Sequence, residues 1–340
     1  MAVAGTSLKD RFEGCLLGLA VGDALGGKFE AQSADAIRSR FPTSDRLMCY
    51  PLEEIWYTDD TQMAIAVAEA LIEGGEILEE VLCRAFIANY VPSRGYGRGA
   101  RAVLDAMEDG RDYRQVAEEH FPGGSFGNGA AMRVAPVGLL FRDDRTRLRE
   151  QARLSALPTH RHPLGIEGAQ LLALAVALCS QIERFDRVRF FAELLAACDS
   201  AEYRGKLEEA SRAQRPNDLA GLGNRIEALH SVPTAIASFA LTPESFESTI
   251  SNVIFPRRRH RHAGGDGGGA VWRLSGSGSP PKPAGRPSGE RREGAGVSPS
   301  AYRALARYLP SWARNDSRLA RLARRPDSVR QRRHNTPDVA

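Results

Sequence analysis

Hydrophobic positions in residues 1–255 recur at the three- and four-residue spacing of an α-helix, and short breaks separate one such stretch from the next. Phe12, Cys15, Leu16 and Leu19 follow this spacing near the start of the chain. No stretch shows the alternation of a half-buried β-strand, so we predict an all-α fold. The same periodicity predicts further helices at about 62–72, 77–89, 99–107, 145–155, 165–182, 185–198 and 231–240.

Residues 169–179 are apolar almost all round, which is typical of a buried central helix. This stretch is too short to cross a membrane, and the sequence contains no uninterrupted apolar run of about 18 residues. The apolar residues 15–21 follow several charged residues and end at Asp23 without a small-residue cleavage site, unlike a signal peptide. Five widely spaced cysteines without a Cys-x-x-Cys pair favour reduced thiols. We therefore expect a cytoplasmic protein without a membrane anchor.

The composition changes abruptly after residue 255. Residues 256–340 contain 11 Gly, 9 Pro, 19 Lys or Arg and 6 Asp or Glu, so this segment carries a net charge of +13 and the preceding residues carry −9. Such a segment cannot bury enough apolar surface to offset its chain entropy. We predict a helical domain at 1–255 and a disordered basic tail at 256–340. The tail would attract polyanions non-specifically at low salt, and we expect no specific nucleic-acid partner.

Two adjacent carboxylates flanked by hydroxyl groups precede the helix predicted at 62–72. Thr58, Asp59, Asp60 and Thr61 place several hard oxygen atoms within one turn, a donor set that suits Mg²⁺ or Mn²⁺ better than zinc. The alternative is helix capping, with Thr58 or Asp59 as the N-cap and the acidic side chains near the positive helix end. For these four residues taken alone, capping is the favoured interpretation.

Glycines surround a second pair of acidic residues, Asp23 and Glu30. Gly22, Gly26 and Gly27 allow either a close approach of two elements or a turn with positive φ. Asp23 is a candidate support for a metal site, and Glu30 is a candidate general base or metal ligand. The alternative is a glycine-terminated helix that carries two solvated acids.

A glycine-rich loop spans residues 123–129 and leads into a helix predicted to run through Leu140. Consecutive backbone N–H groups at the start of a helix form a site for an anion such as a diphosphate, and a floppy loop is the alternative. The pattern matches neither a P-loop nor a Rossmann fingerprint. Further along, His160 and His162 have no cysteine partners, so we expect one of them to pack or hydrogen-bond near a ligand rather than bind zinc.

Taken together and in this order, these segments resemble the ADP-ribosylglycohydrolase family, which includes the dinitrogenase reductase-activating glycohydrolases. The loop at 125–128 and the segment at 231–235 look closer to the branch that includes the serine- and O-acetyl-ADP-ribose hydrolases. The resemblance implies an all-α fold around two Mg²⁺ (or Mn²⁺) ions that binds ADP-ribose and cleaves the bond at C1″ of its distal ribose. Six ordered matches carry it, at 14–30, 56–64 (WYTDDTQMA), 95–100 (GYGRGA), 124–138 (GSFGNGAAMRVAPVG), 152–169 and 231–239 (SVPTAIASF).

The resemblance also implies roles for individual residues. Thr58, Asp59 and Asp60 would be metal ligands, and the two aspartates would take part in catalysis. Glu30 would be a further catalytic residue, on an acidic loop near the scissile bond. His160 would lie close to the substrate. The diphosphate and the distal ribose would be held by Gly124, Ser125, Phe126, Gly127 and Asn128.

The sequence lacks one element of the family, a late Gly-Gly-Asp-Thr-Asp-Thr segment that supplies the remaining metal ligands. Asp266 does not replace it, because no Thr-Asp-Thr follows. Codons compatible with residues 258–272, read one base out of frame, spell Gly-Asp-Thr-Asp-Thr-Leu-Ala-Ala-Met-Ala-Gly-Ala-Leu-Ser. We therefore hypothesise a one-base insertion after the codon of Phe255, which would make the basic tail an out-of-frame translation product.

Three functions remain open at this point. The first is a metal-dependent hydrolase that acts as a monomer on an ADP-ribosylated protein or a small ADP-ribose derivative, with its activity impaired by the missing ligands. The second is a catalytically inactive ADP-ribose-binding protein. The third is a nucleic-acid-associated protein that acts through the arginine-rich tail.

Overall fold

The computed structural model describes residues 7–30, 32–41 and 56–254. Within these residues the chain forms α-helices and short 3-10 turns, and a single isolated bridge is the only β-type pairing. The predicted all-α fold is confirmed. The disorder predicted for 256–340 and the domain boundary predicted at 255 lie outside the described residues.

We number the α-helices of the described residues in chain order. Four 3-10 turns accompany them, at Gly27–Phe29, Pro92–Arg94, Ala131–Arg133 and Pro216–Gly221. The helices are α1 (Leu8–Gly26), α2 (Ala34–Arg40), α3 (Asp59–Gly74), α4 (Glu79–Asn89), α5 (Arg98–Glu108), α6 (Tyr113–His120), α7 (Ala135–Leu140), α8 (Arg145–Ala156), α9 (Pro163–Gln181), α10 (Arg187–Ala196), α11 (Ala201–Arg212), α12 (Ala228–Leu241) and α13 (Phe246–Ile254).

Every stretch with helical periodicity is a helix, but α2, α6, α11 and α13 are not predicted by it. Helix α6 fully buries only Ala117, which leaves too few apolar positions to show a period. The helix predicted to continue through Leu140 is divided into the 3-10 turn Ala131–Arg133 and α7. Pro136 accounts for the division, because proline is favoured in the first turn of a new helix and disrupts the interior of a continuing one.

Helix α9 lies at the centre of the molecule and packs against α7, α8 and α12. Its 19 residues make it, among the described helices, the one long and apolar enough to cross a membrane by length and composition. The periodicity at 165–182 predicts nearly this length, whereas the apolar stretch at 169–179 covers only its middle. However, 78% of its most apolar window is buried within the protein, which is how a core helix is expected to behave.

Helix α3 also runs through the main core and carries the acidic residues at its first turn. It packs against α4, α7, α1 and the 3-10 turn Ala131–Arg133. A second, smaller hydrophobic cluster joins the C-terminal half of α1 to α2 and α13. The two clusters together hold the end of α1 beside the beginning of α3, which is where the candidate site forms.

Candidate functional site

Thr58 is the N-cap of α3, and Asp59 and Asp60 are its first two residues. The Thr58 side chain accepts a hydrogen bond from the Asp60 N–H at 3.4 Å, so the capping interpretation is confirmed. The side chain of Asp60 is buried, and that of Asp59 is half-buried. Capping occupies only part of the oxygen atoms in this turn. It therefore does not exclude a role for the same residues in binding a cation.

Asp23 is the hydrogen-bonding centre of this turn. Its Oδ2 accepts the backbone N–H groups of Thr58 at 2.9 Å and Thr61 at 3.1 Å, and the hydroxyl groups of the same two threonines donate to its carboxylate. Burial raises the pKa of Asp23, and these four hydrogen bonds oppose that rise. Because the hydroxyl proton of Thr58 is directed at Asp23, a lone pair of that oxygen remains for a cation.

The glycines at the end of α1 allow this contact. A Cβ atom on Gly27 would lie 2.6 Å from Cγ2 of Thr58, so only glycine permits α1 to approach so closely. Gly27 has φ of −54°, which means that the close approach is present and the turn with positive φ is not. The interpretation of Asp23 as a solvated acid is wrong, because its side chain is only 2% exposed.

Glu30 follows the 3-10 turn Gly27–Phe29, and its side chain is exposed. Two residues earlier, the Lys28 ammonium lies 3.4 Å from the centre of the Trp56 ring. Trp56 directly precedes the segment that caps α3, so Glu30 belongs to a surface segment that borders the turn with Thr58.

The loop at 94–97 supports the same turn from the other side. Arg94 donates from Nη1 to the Tyr57 carbonyl at 2.9 Å, and its guanidinium lies 4.0 Å from the centre of the Tyr57 ring. The Tyr96 hydroxyl donates to Gln62 Oε1 at 2.8 Å. Burial and the nearby charge of Asp59 raise the pKa of Tyr96. The two contacts fix the position of α3's first turn relative to this loop.

The glycine-rich loop is held against the start of α12. Gly127 and Glu227 form an antiparallel bridge, in which Asn128 N donates to the Ile226 carbonyl at 2.8 Å and Ala228 N donates to the Phe126 carbonyl at 3.0 Å. The interpretation as a floppy loop is therefore wrong. Ile226, whose side chain is 58% exposed, is a neighbour of the loop that local sequence patterns do not reveal.

The expected row of unused N–H groups is only partly present in this loop. Gly127 N donates to Ser125 Oγ at 3.3 Å, and Gly124 N donates to the Phe121 carbonyl at 2.7 Å. Gly123 N donates to Glu118 Oε1 at 2.9 Å. With the bridge at Asn128, this leaves the amides of Ser125, Phe126 and Gly129 without a hydrogen bond to any described residue. An anion would therefore meet two adjacent backbone donors and the Ser125 hydroxyl rather than a full row of amides.

His160 lies beneath the loop and is 7% exposed. A Cβ atom on Gly127 would lie 3.4 Å from its Nε2, and one on Gly129 would lie 2.4 Å from its Cε1. Its Nδ1 is 2.8 Å from the Thr159 hydroxyl, which also accepts a hydrogen bond from the buried guanidinium of Arg133. Arg133 and Thr159 lie within the matched segments 124–138 and 152–169, but the sequence alone assigns neither of them a role.

The fold brings the two halves of the candidate site together. The loop continues into the 3-10 turn Ala131–Arg133, which packs against α3. Arg133 Nη1 lies 3.5 Å from the sulfur of Met63, one helical turn after Asp59 and Asp60. Among the described residues, no group of three or more His, Cys, Asp and Glu side chains is placed to hold a metal ion. The carboxylates in the first turn of α3 therefore do not form such a group by themselves.

Replacing Gly124 by alanine is expected to destabilise the loop more than replacing Gly123. Both have positive φ, at 92° and 80°, which costs an alanine about 1 kcal/mol. A Cβ atom on Gly124 would also lie 2.4 Å from His162 N. A Cβ atom on Gly123 would have no neighbouring atom within 4 Å. Urea unfolding should show Gly124→Ala to be at least about 2 kcal/mol less stable than Gly123→Ala. Equal stabilities would contradict this geometry.

His160 is expected to make the protein less stable in acid. Burial, assisted by the charge of Arg133, lowers its pKa to about 3, whereas an unfolded histidine has a pKa of about 6.5. Between these values the unfolded chain binds the extra proton, so stability is lost as the pH falls from about 6.5 towards 3. Between pH 6 and 4, the free energy of unfolding of His160→Gln should depend on pH less steeply than that of the wild type, by about 1.4 kcal/mol per pH unit. An unchanged slope would show that His160 is accessible to protons.

The helical chain that carries the acidic turn of α3 and the glycine-rich loop is similar to a class of hydrolases. The family model described as ADP-ribosylglycohydrolase matches residues 4–266, and the chain belongs to this family. ADP-ribosylhydrolase ARH3 of Danio rerio is 35% identical over 272 residues, with 69% of this chain and 71% of the relative covered. ADP-ribosylhydrolase ARH3 of Homo sapiens is 34% identical over 288 residues, with 72% and 79% covered.

A solved structure described as an ADP-ribosylglycohydrolase-related protein complex shares the fold. It has a TM-score of 0.59 and 21% sequence identity, and the match covers 93% of this chain and 98% of that one. The family model and the ARH3 relatives confirm the family assigned from ordered motifs, and with it the assignment of the chain as a hydrolase.

Proposed function

We propose that the protein is a metal-dependent ADP-ribosyl hydrolase that cleaves the glycosidic bond at C1″ of ADP-ribose, carried on a protein or on a small derivative. The observation that carries this proposal is the acidic first turn of α3, which Asp23 fixes and which the 3-10 turn Ala131–Arg133, packed against α3, connects to the ordered glycine-rich loop. Membership of the family and the similarity to ARH3 relatives support the same activity.

The chemical type of the side chains in the first turn of α3 suits a divalent cation. Thr58 Oγ1 and the carboxylates of Asp59 and Asp60 are hard oxygen donors, which suit Mg²⁺ or Mn²⁺. The hydrogen bond from Thr58 to Asp23 turns the hydroxyl proton away and leaves the oxygen for the ion. When bound, the ion would supply a Lewis acid that polarises the leaving bond and orients a water molecule. Mg²⁺ takes six oxygen ligands, so we propose that water, the substrate and residues outside the described part of the chain would complete its coordination.

Other residues of the chain would bind the substrate and accept a proton. The Ser125 hydroxyl and the amides of Ser125 and Phe126 would donate to diphosphate oxygens, and His160 would contact the substrate from beneath the loop. Glu30, on the exposed segment beside Trp56, would act near the scissile bond as a proton acceptor. The rigid attachment of the loop to α12 would limit the entropy lost when the substrate is oriented.

We also propose that the missing Gly-Asp-Thr-Asp-Thr segment is encoded in another reading frame. Restoring the frame after the codon of Phe255 would return the remaining ligands, and the chain as it stands would have strongly reduced activity. The nucleotide sequence of the gene tests this directly. Codons for residues 258–272 that do not spell the segment in the shifted frame would end the hypothesis.

Calorimetry with ADP-ribose tests the function, on both the present chain and the frame-restored chain. Each is titrated with Mg²⁺ and with a chelator, and release of ADP-ribose from arginine-linked and serine-linked peptides is measured in parallel. We expect affinity and turnover that depend on metal in the frame-restored chain. Binding without metal dependence or turnover in both chains would identify an inactive ADP-ribose binder, and absence of binding would overturn the proposal.

A further inference from the structure

We propose that Arg133 and Thr159 are positioning residues that hold His160 as the neutral ring with its proton on Nε2, so that the ring donates to an oxygen atom of the bound ligand. The inference rests on the proposed function, because the ligand is taken to be ADP-ribose over the loop at 124–129. It adds a directional hydrogen bond and the two residues that determine its direction.

Arg133 is fully buried, and its guanidinium has donors but no acceptor. Nη2 donates to the Ser155 carbonyl at 2.7 Å and to the Thr159 hydroxyl at 2.8 Å. The guanidinium also lies 4.7 Å from the centre of the Phe86 ring. These contacts hold the charge in one position, so the Thr159 oxygen must act as the acceptor in its contact with Arg133.

The proton of the Thr159 hydroxyl then determines the state of His160. Thr159 is only 5% exposed, and its hydroxyl has two partners among the described residues, Arg133 and Nδ1 of His160. If Nδ1 carried a proton, the hydroxyl would accept from both partners and its own proton would be buried without an acceptor. That arrangement carries the penalty of an unsatisfied buried donor. The favourable arrangement has Thr159 donating to Nδ1, which places the ring proton on Nε2.

Nε2 of His160 is directed at the glycine-rich loop. It makes no hydrogen bond within the described part of the chain, and it lies 2.7 Å from the position that a Cβ atom on Gly129 would take. The absence of side chains at Gly127 and Gly129 leaves this nitrogen accessible from the loop. A donor here matches an acceptor oxygen of the diphosphate or the distal ribose. Burial of the ring and the charge of Arg133, which shares the Thr159 hydroxyl with His160, both disfavour a second proton.

The test is nitrogen-15 NMR of the histidine rings, combined with calorimetry of ADP-ribose binding. His160→Gln identifies the signals of His160 by their loss. In the ligand-free wild type we expect one tautomer, with Nε2 protonated and Nδ1 accepting a hydrogen bond. Thr159→Val should remove the hydrogen-bond signature at Nδ1 and weaken ADP-ribose binding about tenfold. Thr159→Ser keeps the hydroxyl and should restore both properties.

Thr249→Val is the matched control, because Thr249 is a buried threonine whose hydroxyl donates to the Thr242 carbonyl, in a contact that does not involve His160. It should change neither the ring signals nor the affinity. A wild-type ring protonated on Nδ1 would overturn the inference, even if Thr159→Val did not fold. So would a folded Thr159→Val with unchanged Nδ1 signal and affinity. If wild type has the expected tautomer but does not bind ADP-ribose, the proposed function fails and the positioning by Thr159 stands.

Discussion

Asp60→Asn in the frame-restored chain is expected to lower the rate of ADP-ribosyl hydrolysis by about 1,000-fold or more, and Asp59→Asn is expected to do the same. An amide retains the size of the carboxylate but removes a negative charge from the donors around the cation. A 1,000-fold lower rate corresponds to a loss of about 4 kcal/mol of transition-state stabilisation, which we attribute to a poorly held cation. The measurement is release of ADP-ribose from a modified peptide at saturating Mg²⁺.

Asp109→Asn is the control for this pair of substitutions. Asp109 follows α5 at the surface, and its side chain is 62% exposed. Its replacement should change neither turnover nor thermal stability, because an exposed ion pair contributes little. Unaltered turnover in Asp60→Asn or Asp59→Asn would remove the residue concerned from the proposed metal site.

Asp23→Asn is expected to lower the free energy of unfolding by about 3 kcal/mol and to weaken metal binding as well. An asparagine offers one acceptor oxygen where the carboxylate accepts four hydrogen bonds on two. If the asparagine oxygen accepts from the backbone N–H groups of Thr58 and Thr61, the asparagine NH₂ group faces the Thr58 hydroxyl. That hydroxyl must then turn its proton towards the proposed cation. Urea unfolding and Mg²⁺ titration measure the two effects separately.

Asp112→Asn provides the matched control, since Asp112 also accepts two backbone N–H groups at a helix start. It is the exposed N-cap of α6, where asparagine caps about as well as aspartate. The substitution should change stability by a few tenths of a kcal/mol. A loss at Asp23 no larger than the loss at Asp112 would show that Asp23 is an ordinary cap.

Local chemistry was enough to find the acidic turn and the glycine-rich loop, because each combines unusual residues within a few positions. The same residues also explain where prediction stops. Asp23 looks like a solvated acid until α1 and α3 are packed together, since its four donors lie 35 and 38 positions away. Burial of an acid by a distant segment leaves no local trace in the pattern.

Arg133 and Thr159 show the same limit more strongly. An arginine inside a largely apolar stretch and a threonine beside a histidine have no spacing that links them, although 26 positions separate partners at 2.8 Å. Helix α11 was missed for another reason, because its charged residues and Gly205 conceal the apolar spacing of Tyr203, Leu207 and Ala210. Its packing against α12 provides the helix stability that its own sequence lacks.

The small cluster at the end of α1 links the acidic turn to the last described helix. Val21 and Ala24 flank Asp23 on α1, and they share that cluster with Ile250 and Ile254 of α13. Local opening of α13 would therefore release the segment that carries Asp23. The amide protons of Thr58 and Thr61, which depend on that carboxylate, would then exchange with solvent deuterium. Their exchange rates would therefore report on the integrity of α13 from a distant part of the chain.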